Sequence, residues 1–358
     1  MKRTGNSWFV YIFRHGKVTF MVVELISEKD VHRARELVTG CGLRFETNYA
    51  NLVGIFEGLA LVAAGAREGN ILKMIAVEPS RQSGALLGEV VSELIRLGYE
   101  AGHDAFFVFT NPRNAASFQA LNFMPLVHHP KTILLEYGGG LGRYLEAHRS
   151  LVRNGENGAV VVNCNPFTLG HRYLIEEAAR RVDTLYVFVV REDRSAFPFE
   201  ARIRLVREGV TDLDNAVVLE SSSYAVSGIT FPTYFLKEED SAAEIQMEVD
   251  LMLFGRHLAP FFNIRRRFIG TEPYCRTTRL YSEAMERVLP RYGVETVQLE
   301  RSREGEGVVS AFRVREALRK EAYETVRKLV PHSTLRFILS EEGKEIRNRL
   351  ASSDRRRH

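Results

Sequence analysis

The chain has 358 residues, of which 45% are hydrophobic and 26% are charged, and this ordinary globular composition excludes a largely disordered or collagen-like protein. The net charge of +4 is too small to indicate nucleic-acid binding by itself. Three cysteines form an odd, sparse set that argues against a disulfide framework and for a reducing compartment. Because no apolar run reaches the about 18 residues that a membrane helix needs, we expect a cytoplasmic protein with neither a membrane nor a nucleic-acid partner.

Glycine clusters suggest how the chain divides into domains. Gly138–Gly140 and the stretch Asn154–Gly158 mark loops, because glycine reaches backbone conformations that other residues resist. Translation starts at Met1 or at Met21, and the sequence leaves both open. The predicted segments are a first domain at 1–137, a linker at 138–157, a second domain at 158–345 and a basic tail at 346–358.

The first domain mixes predicted strands and helices. Apolar residues at helical spacing predict helices, and short alternating or continuous apolar runs predict strands. In chain order these elements are a helix at Glu28–Val38, strands at Leu52–Phe56, Leu59–Ala64 and Ile71–Val77, a helix at Ala85–Leu97, a strand at Ala105–Thr110, a helix at Asn114–Leu121 and a strand at Lys131–Tyr137.

The second domain alternates strands and helices more regularly. The predicted strands are Ala159–Val162, Leu185–Val190, Ala216–Leu219, Arg266–Ile269 and Glu295–Leu299, and the helices are Leu174–Arg181, Glu200–Glu208, Ala242–Leu253, Thr278–Val288 and Ala311–Lys320. This alternation predicts an α/β domain, with a doubly wound parallel sheet and helices on both faces. Ligands of such sheets bind at the carboxyl ends of the strands, near the switch in strand order.

A motif at Asn163–His171 follows the first of these strands. Gly170 and His171 open a helix, whose first N–H groups lack internal partners and lie at the positive end of the helix dipole. This predicts an anion site suited to a phosphate chain, in which Gly170 permits close approach and His171 donates to oxygens that gain charge as pyrophosphate leaves. The alternative is a plain helix start, with Thr168 as its cap and His171 on the surface.

A second motif at Gly307–Arg315 has similar chemistry. Ser310 is placed to cap the following helix, and Arg313 and Arg315 lie within its first turns. A hydroxyl, free amides and a guanidinium at one helix start form a phosphate clamp. The alternative is a capped surface helix with solvated arginines.

Two further residues lie at predicted strand ends. Glu272 could reach a ribose or a bound metal, or could belong to a structural turn. Cys164 could serve as a nucleophile, but the sequence favours a buried thiol that packs.

Together the two motifs resemble the nucleotidyltransferase superfamily with the HxGH and ISSTxxR signatures. Thr168 stands where the first histidine of HxGH lies, and Ser310 to Arg315 match the Ser-x-x-x-x-Arg core. Longer strings resemble the citrate lyase ligase family; they are Asn163–Tyr173, Thr230–Lys237 and Gly270–Cys275.

This resemblance implies a Rossmann-like catalytic domain that activates acetate with ATP and Mg²⁺. The acetyl group would pass to the thiol of the phosphoribosyl-dephospho-CoA group on the acyl-carrier (gamma) subunit of citrate lyase, through acetyl-adenylate, with release of AMP and pyrophosphate. It implies catalytic roles for His171, Thr168 and Arg315, ATP contacts for Asn163, Asn165, Pro166, Phe167, Gly170, Glu272, Ser310 and Arg313, and no protein ligand for a metal.

The first domain resembles the GNAT acyltransferase fold, a smaller α+β domain. The resemblance lies in Ile71–Ala85, where a turn leads into a helix, and in Asn114–Phe123. It implies a site for the CoA-like arm of the carrier or a scaffold without a ligand. Competing functions for the whole chain are a phosphopantetheine adenylyltransferase-like enzyme that makes a cofactor, an acetyl-CoA-dependent N-acetyltransferase and a nucleotide sensor.

Overall fold

The computed structural model describes residues 21–81, 84–191, 195–225, 239–271, 276–300, 303–304 and 307–352. These residues form two compact units, and the chain divides between Gly142 and Arg143, although residues 239–243 group with the first unit. The boundary falls inside the predicted linker, where Gly140–Ala147 is helical. Within the described ranges, no helix combines the length and apolar character required to span a bilayer.

The first unit is built on a seven-stranded mixed sheet. Its strands are β1 (Val22–Glu24), β2 (Asn51–Glu57), β3 (Ala60–Glu68), β4 (Ile71–Val77), β5 (Phe106–Thr110), β6 (Met124–His129) and β7 (Thr132–Tyr137), and its helices are α1 (Glu28–Gly40), α2 (Gly84–Glu100) and α3 (Ala115–Gln119), followed by α4 (Gly140–Ala147). The strand order is β1-β2-β3-β4-β5-β7-β6. Only β4 and β5 among these neighbours run parallel.

Helices cover both faces of this sheet, so its strands are apolar on both sides. Val90 and Leu94 of α2 pack in one buried cluster with Val53 of β2, while Ala34 and Val38 of α1 belong to a second cluster. Ser27 begins α1 because its side chain accepts a hydrogen bond from the amide of Asp30. This mixture of strands and helices agrees with the predicted α+β domain.

The second unit contains a five-stranded sheet with the order β10-β9-β8-β11-β12. Its strands are β8 (Asn157–Val162), β9 (Thr184–Val189), β10 (Ala216–Glu220), β11 (Ile264–Gly270) and β12 (Glu295–Leu299). Every pair of neighbours is parallel, which confirms the predicted doubly wound sheet. A short antiparallel ladder joins β13 (Arg303–Glu304) to β14 (Gly307–Val308).

The helices of the second unit extend beyond the predicted set. They are α5 (Leu169–Ala179), α6 (Phe199–Gly209), α7 (Glu239–Leu253), α8 (Ala259–Phe261), α9 (Arg276–Val288), α10 (Ala311–Arg319), α11 (Tyr323–Leu329), α12 (His332–Leu339) and α13 (Glu341–Ala351). Residues 346–351, at the start of the predicted basic tail, belong to α13, whose Ile346 and Leu350 are buried in the core that includes Ile175 of α5. The residues from 353 onward lie outside the described ranges.

Candidate active site

The candidate site lies at the point where the strand order of the parallel sheet reverses. β9 and β10 extend the sheet on one side of β8, and β11 and β12 extend it on the other. In a parallel sheet, the position at which the strand order reverses is where ligands bind. Residues 163–168 connect β8 to α5 at this position.

His171 is held in one tautomer by the residue that caps its helix. Thr168 is the N-cap of α5, and its hydroxyl accepts a hydrogen bond from the amide of His171 at 3.3 Å. The Thr168 amide in turn donates to Nδ1 of His171 at 3.1 Å, and the Thr168 hydroxyl lies 2.9 Å from the same nitrogen. A backbone N–H can only donate, so Nδ1 carries the lone pair and the neutral ring has its proton on Nε2. His171 thus offers Nε2–H as a donor.

The ring of Phe167 lies nearly parallel to the same imidazole. The two rings are nearly parallel, at 15°, with centroids 6.1 Å apart. The Phe167 ring itself is fully buried in the core, against Gly209 at the end of α6, where any side chain would collide with it. Phe167 is predicted to contact ATP, and in the structure its ring is fully buried and lies nearly parallel to that of His171.

The two sequence motifs meet in the structure. A β-carbon placed on Gly170 would lie 2.7 Å from the carbonyl oxygen of Val309, so the first turn of α5 lies against the residue that precedes Ser310. Gly170 is therefore required by this close approach of two backbones, a reason different from the predicted approach of phosphate. Ser310 is the N-cap of α10 and accepts a hydrogen bond from the Arg313 amide at 3.3 Å, which confirms the predicted cap.

Arg315 connects α10 to the loop that follows β8. Its Nη1 donates to the carbonyl oxygen of Asn165 at 2.5 Å, and the side chain is only 7% exposed. Desolvation lowers the pKa of Arg315, as does the charge of Arg319, while Glu316 acts in the opposite direction. An arginine remains protonated at neutral pH, so a buried positive charge lies at the junction of the two motifs.

The other predicted residues of the loop have mainly structural contacts. Asn163 is exposed, and its side-chain oxygen accepts from the Ser195 hydroxyl at 3.3 Å. Asn165 is buried and its Oδ1 accepts from the Phe197 amide at 2.9 Å, while Pro166 is buried after a cis peptide bond. Cys164 is fully buried, as predicted, and desolvation raises the pKa of its thiol.

Arg202 was not predicted to take part in the site. It lies on α6, is fully buried, and donates to oxygens of Asn163, Val190 and Phe197. One signal in the sequence could have indicated it, because Arg202 shares the apolar stripe of α6 with Phe199 and Val206 at helical spacing.

Part of the predicted site lies outside the described residues. Glu272 and the strings Thr230–Lys237 and Pro273–Cys275 belong to that part. Among the residues that the structure does describe, no group of three or more histidine, cysteine, aspartate or glutamate side chains could hold a metal ion.

Comparisons with known proteins match most of the chain. Residues 157–338 match the family model of the citrate lyase ligase C-terminal domain. The citrate (pro-3S)-lyase ligase of Klebsiella pneumoniae is 40% identical over 292 residues, which cover 78% of this chain and 84% of that protein. The protein of the same name from Escherichia coli K12 is 34% identical over 336 residues, covering 90% of this chain and 94% of that protein. A phosphopantetheine adenylyltransferase of Streptococcus gordonii is 36% identical over 100 residues, covering 26% of this chain and 61% of that protein.

Proposed function

Since the chain belongs to the citrate lyase ligase family, which the motifs predicted, we propose that it is an ATP-dependent acid–thiol ligase that acts on citrate lyase. The acid is acetate, and the acceptor is the thiol of the phosphoribosyl-dephospho-CoA group on the acyl-carrier subunit. The observation that carries this proposal is the tautomer of His171, whose Nε2–H donor lies in the first turn of α5, where that turn meets the segment before α10.

The first step transfers the adenylyl group to acetate. A carboxylate oxygen of acetate attacks the α-phosphorus of ATP, and the bond from that phosphorus to the oxygen it shares with the β-phosphorus breaks. Pyrophosphate leaves with the electron pair, and acetyl-adenylate forms. Catalysis of such transfers consists mainly of positioning and stabilisation of charge.

The residues of the two helix starts match the charge that develops in this step. Nε2–H of His171 and the first amides of α5 donate to phosphate oxygens as negative charge moves onto pyrophosphate. The buried charge of Arg315 and the start of α10 add positive potential from the second motif. Mg²⁺ enters as part of the substrate, bound to ATP oxygens.

The second step moves the acetyl group to the carrier. The carrier thiolate attacks the carbonyl carbon of acetyl-adenylate, the bond from that carbon to the phosphate oxygen breaks, and AMP leaves. This route needs no nucleophile from the protein. The burial of Cys164 supports it, because a fully buried thiol with a raised pKa is a poor nucleophile.

The proposal is tested with labelled acetate, ATP and Mg²⁺, in the presence and absence of citrate lyase whose carrier has been deacetylated. We expect label on the carrier, together with AMP and pyrophosphate, only when ATP is present. Labelling from acetyl-CoA without ATP would instead assign the chemistry to an acetyltransferase.

A second function is favoured by the match to phosphopantetheine adenylyltransferase over 100 residues. In that case the phosphate of a pantetheine phosphate would attack the α-phosphorus in place of acetate, and the same helix starts would hold the leaving pyrophosphate. Incubation with ATP and 4′-phosphopantetheine separates the two functions, since only this one forms dephospho-CoA.

A further inference from the structure

Arg202 links the ends of two neighbouring strands from a position inside the core. Its side chain is 0% exposed. Nε donates to the carbonyl oxygen of Phe197 at 3.0 Å, and Nη1 lies 2.8 Å from the carbonyl oxygen of Val190. Nη1 also lies 2.7 Å from the carbonyl oxygen of Asn163 and 2.9 Å from its Oδ1. One guanidinium thus holds the residue that follows β8 and both ends of the connection from β9 to α6.

Burial of an arginine at this position is energetically unfavourable by itself. Phe199, on the same stripe of α6, places its ring 5.6 Å from the guanidinium, and Val206 is fully buried. An apolar side chain would suit such a stripe without removing a charge from water. The planar fork of arginine, in contrast, reaches several oxygens in different directions at once. Arg202 therefore contributes a defined geometry of the loops, which an apolar residue could not supply.

The hydrogen bonds of Arg202 continue to the second motif. Phe197 accepts from Arg202 through its carbonyl oxygen, and its amide donates to Oδ1 of Asn165 at 2.9 Å. The carbonyl oxygen of Asn165 accepts from Arg315. A continuous path therefore runs from α6 through the loop after β8 to α10. Three residues beyond Asn165, the same loop ends at Thr168, the cap that orients His171.

We propose that Arg202 is a positioning residue for the phosphate site. It fixes residues 163–165 and so aligns the His171 donor with ATP, and the side-chain hydrogen bonds named above are all to protein oxygens. This inference rests on the proposed function. Misplacement of reacting groups by about 1 Å can slow a reaction by about 10²-fold. We expect Arg202→Gln to slow acetate-dependent ATP–pyrophosphate exchange by about that factor, with a much smaller change in the Kd of an ATP analogue.

The experiment compares Arg202→Gln with a destabilised control in the same helix. Leu205→Ala removes a buried apolar side chain from the same helix, and exchange is measured for both variants at temperatures equally far below their unfolding midpoints. Arg202→Lys is the second variant and carries the test if Arg202→Gln does not fold. It keeps the charge but loses the fork, so exchange should fall at least about tenfold.

A double-mutant cycle with His171→Ala shows how Arg202 acts. If Arg202 works by aligning His171, the double variant should be little slower than His171→Ala alone. If Arg202 only stabilises the fold, the two losses multiply, and Arg202→Gln resembles Leu205→Ala; either result overturns the inference. A wild-type protein without acetate-dependent exchange refutes the proposed function instead, so the two failures are distinguishable.

Discussion

Gly170→Ala tests whether the approach of the two motifs is essential for activity. A β-carbon at this position would lie 2.7 Å from the Val309 carbonyl oxygen, and favourable carbon–oxygen contacts begin at about 3.3 Å. The first turn of α5 and the segment before α10 must therefore separate by roughly 0.6 Å. Alanine normally stabilises a helix over glycine by about 0.5–1 kcal/mol, but overpacking costs about 1–3 kcal/mol. We expect a net loss of roughly 1 kcal/mol in the free energy of unfolding.

The effect on catalysis should exceed the effect on stability. Both helix starts are proposed to hold one triphosphate, so a separation of this size should slow ATP–pyrophosphate exchange by about ten- to a hundredfold. Urea unfolding and exchange are measured on the same preparation. Gly142→Ala in α4 is the matched control, since nothing lies within 4 Å of a β-carbon there, and it should stabilise the protein without changing exchange. If Gly170→Ala behaves like Gly142→Ala, the reasoning about the close approach is refuted.

Three further substitutions probe the donors and the buried thiol. His171→Ala should slow exchange by about 10²–10³-fold because the Nε2–H donor is lost. The control His32→Ala, at an exposed site in the first unit, should leave the rate of exchange unchanged. An unchanged rate in a folded His171→Ala variant excludes a phosphate role for His171. Thr168→Ala should lower the free energy of unfolding by about 0.5–2 kcal/mol and slow exchange less than His171→Ala does. Thr168→Ser keeps the hydroxyl and so retains the cap. Equal urea midpoints for Thr168→Ala and the wild-type protein would contradict this role of the cap. Cys164→Ala should keep the rate of exchange within about threefold of the wild-type rate. Because Cys164 is buried and burial raises the pKa of its thiol, peptide mapping should find it unalkylated at neutral pH until denaturant is added. Alkylation of Cys164 in the folded protein would show that the thiol is accessible.

The sequence predicts an element well where its apolar pattern is long and regular. The predicted helix at Glu28–Val38 extends to Gly40, and the predicted strand at Ile71–Val77 has the same bounds in the structure. The strands β1 and β6 were not predicted. β1 has only three residues, and β6 contains Pro125, which a strand accommodates mainly at the edge of a sheet, where β6 lies. The helices α11, α12 and α13 were missed for another reason. Each is short and depends on tertiary packing, as the burial of Val326, Phe337 and Ile346 in one core shows.

The meeting of the two motifs was more predictable than the contacts that produce it. Parallel strands place their carboxyl ends at one edge, so a helix start after β8 and another after β12 were expected to lie close together. The reasons for Gly170 and Arg202 could not be read from residue type. A glycine at a helix start is equally compatible with the close approach of a phosphate and with the close packing of two backbones. An arginine is usually exposed to solvent, so its residue type does not indicate that it is buried within α6. For Gly170, only the path of the backbone distinguishes these cases, whereas for Arg202 the one signal in the sequence is its place on the apolar stripe of α6.

The threonine at position 168 has a clear consequence for the site. Its side chain is 1% exposed and is occupied with the amide and Nδ1 of His171, so it points into the protein. A hydrogen bond from this hydroxyl to a phosphate would require the helix cap to open. Opening the cap would release the His171 imidazole, whose orientation the cap sets. The superfamily signature with two histidines offers two imidazoles, whereas this chain offers one imidazole held by a cap. Under the proposed function, donation to the leaving pyrophosphate comes from Nε2 of His171 and the first amides of α5, with Thr168 acting through their placement.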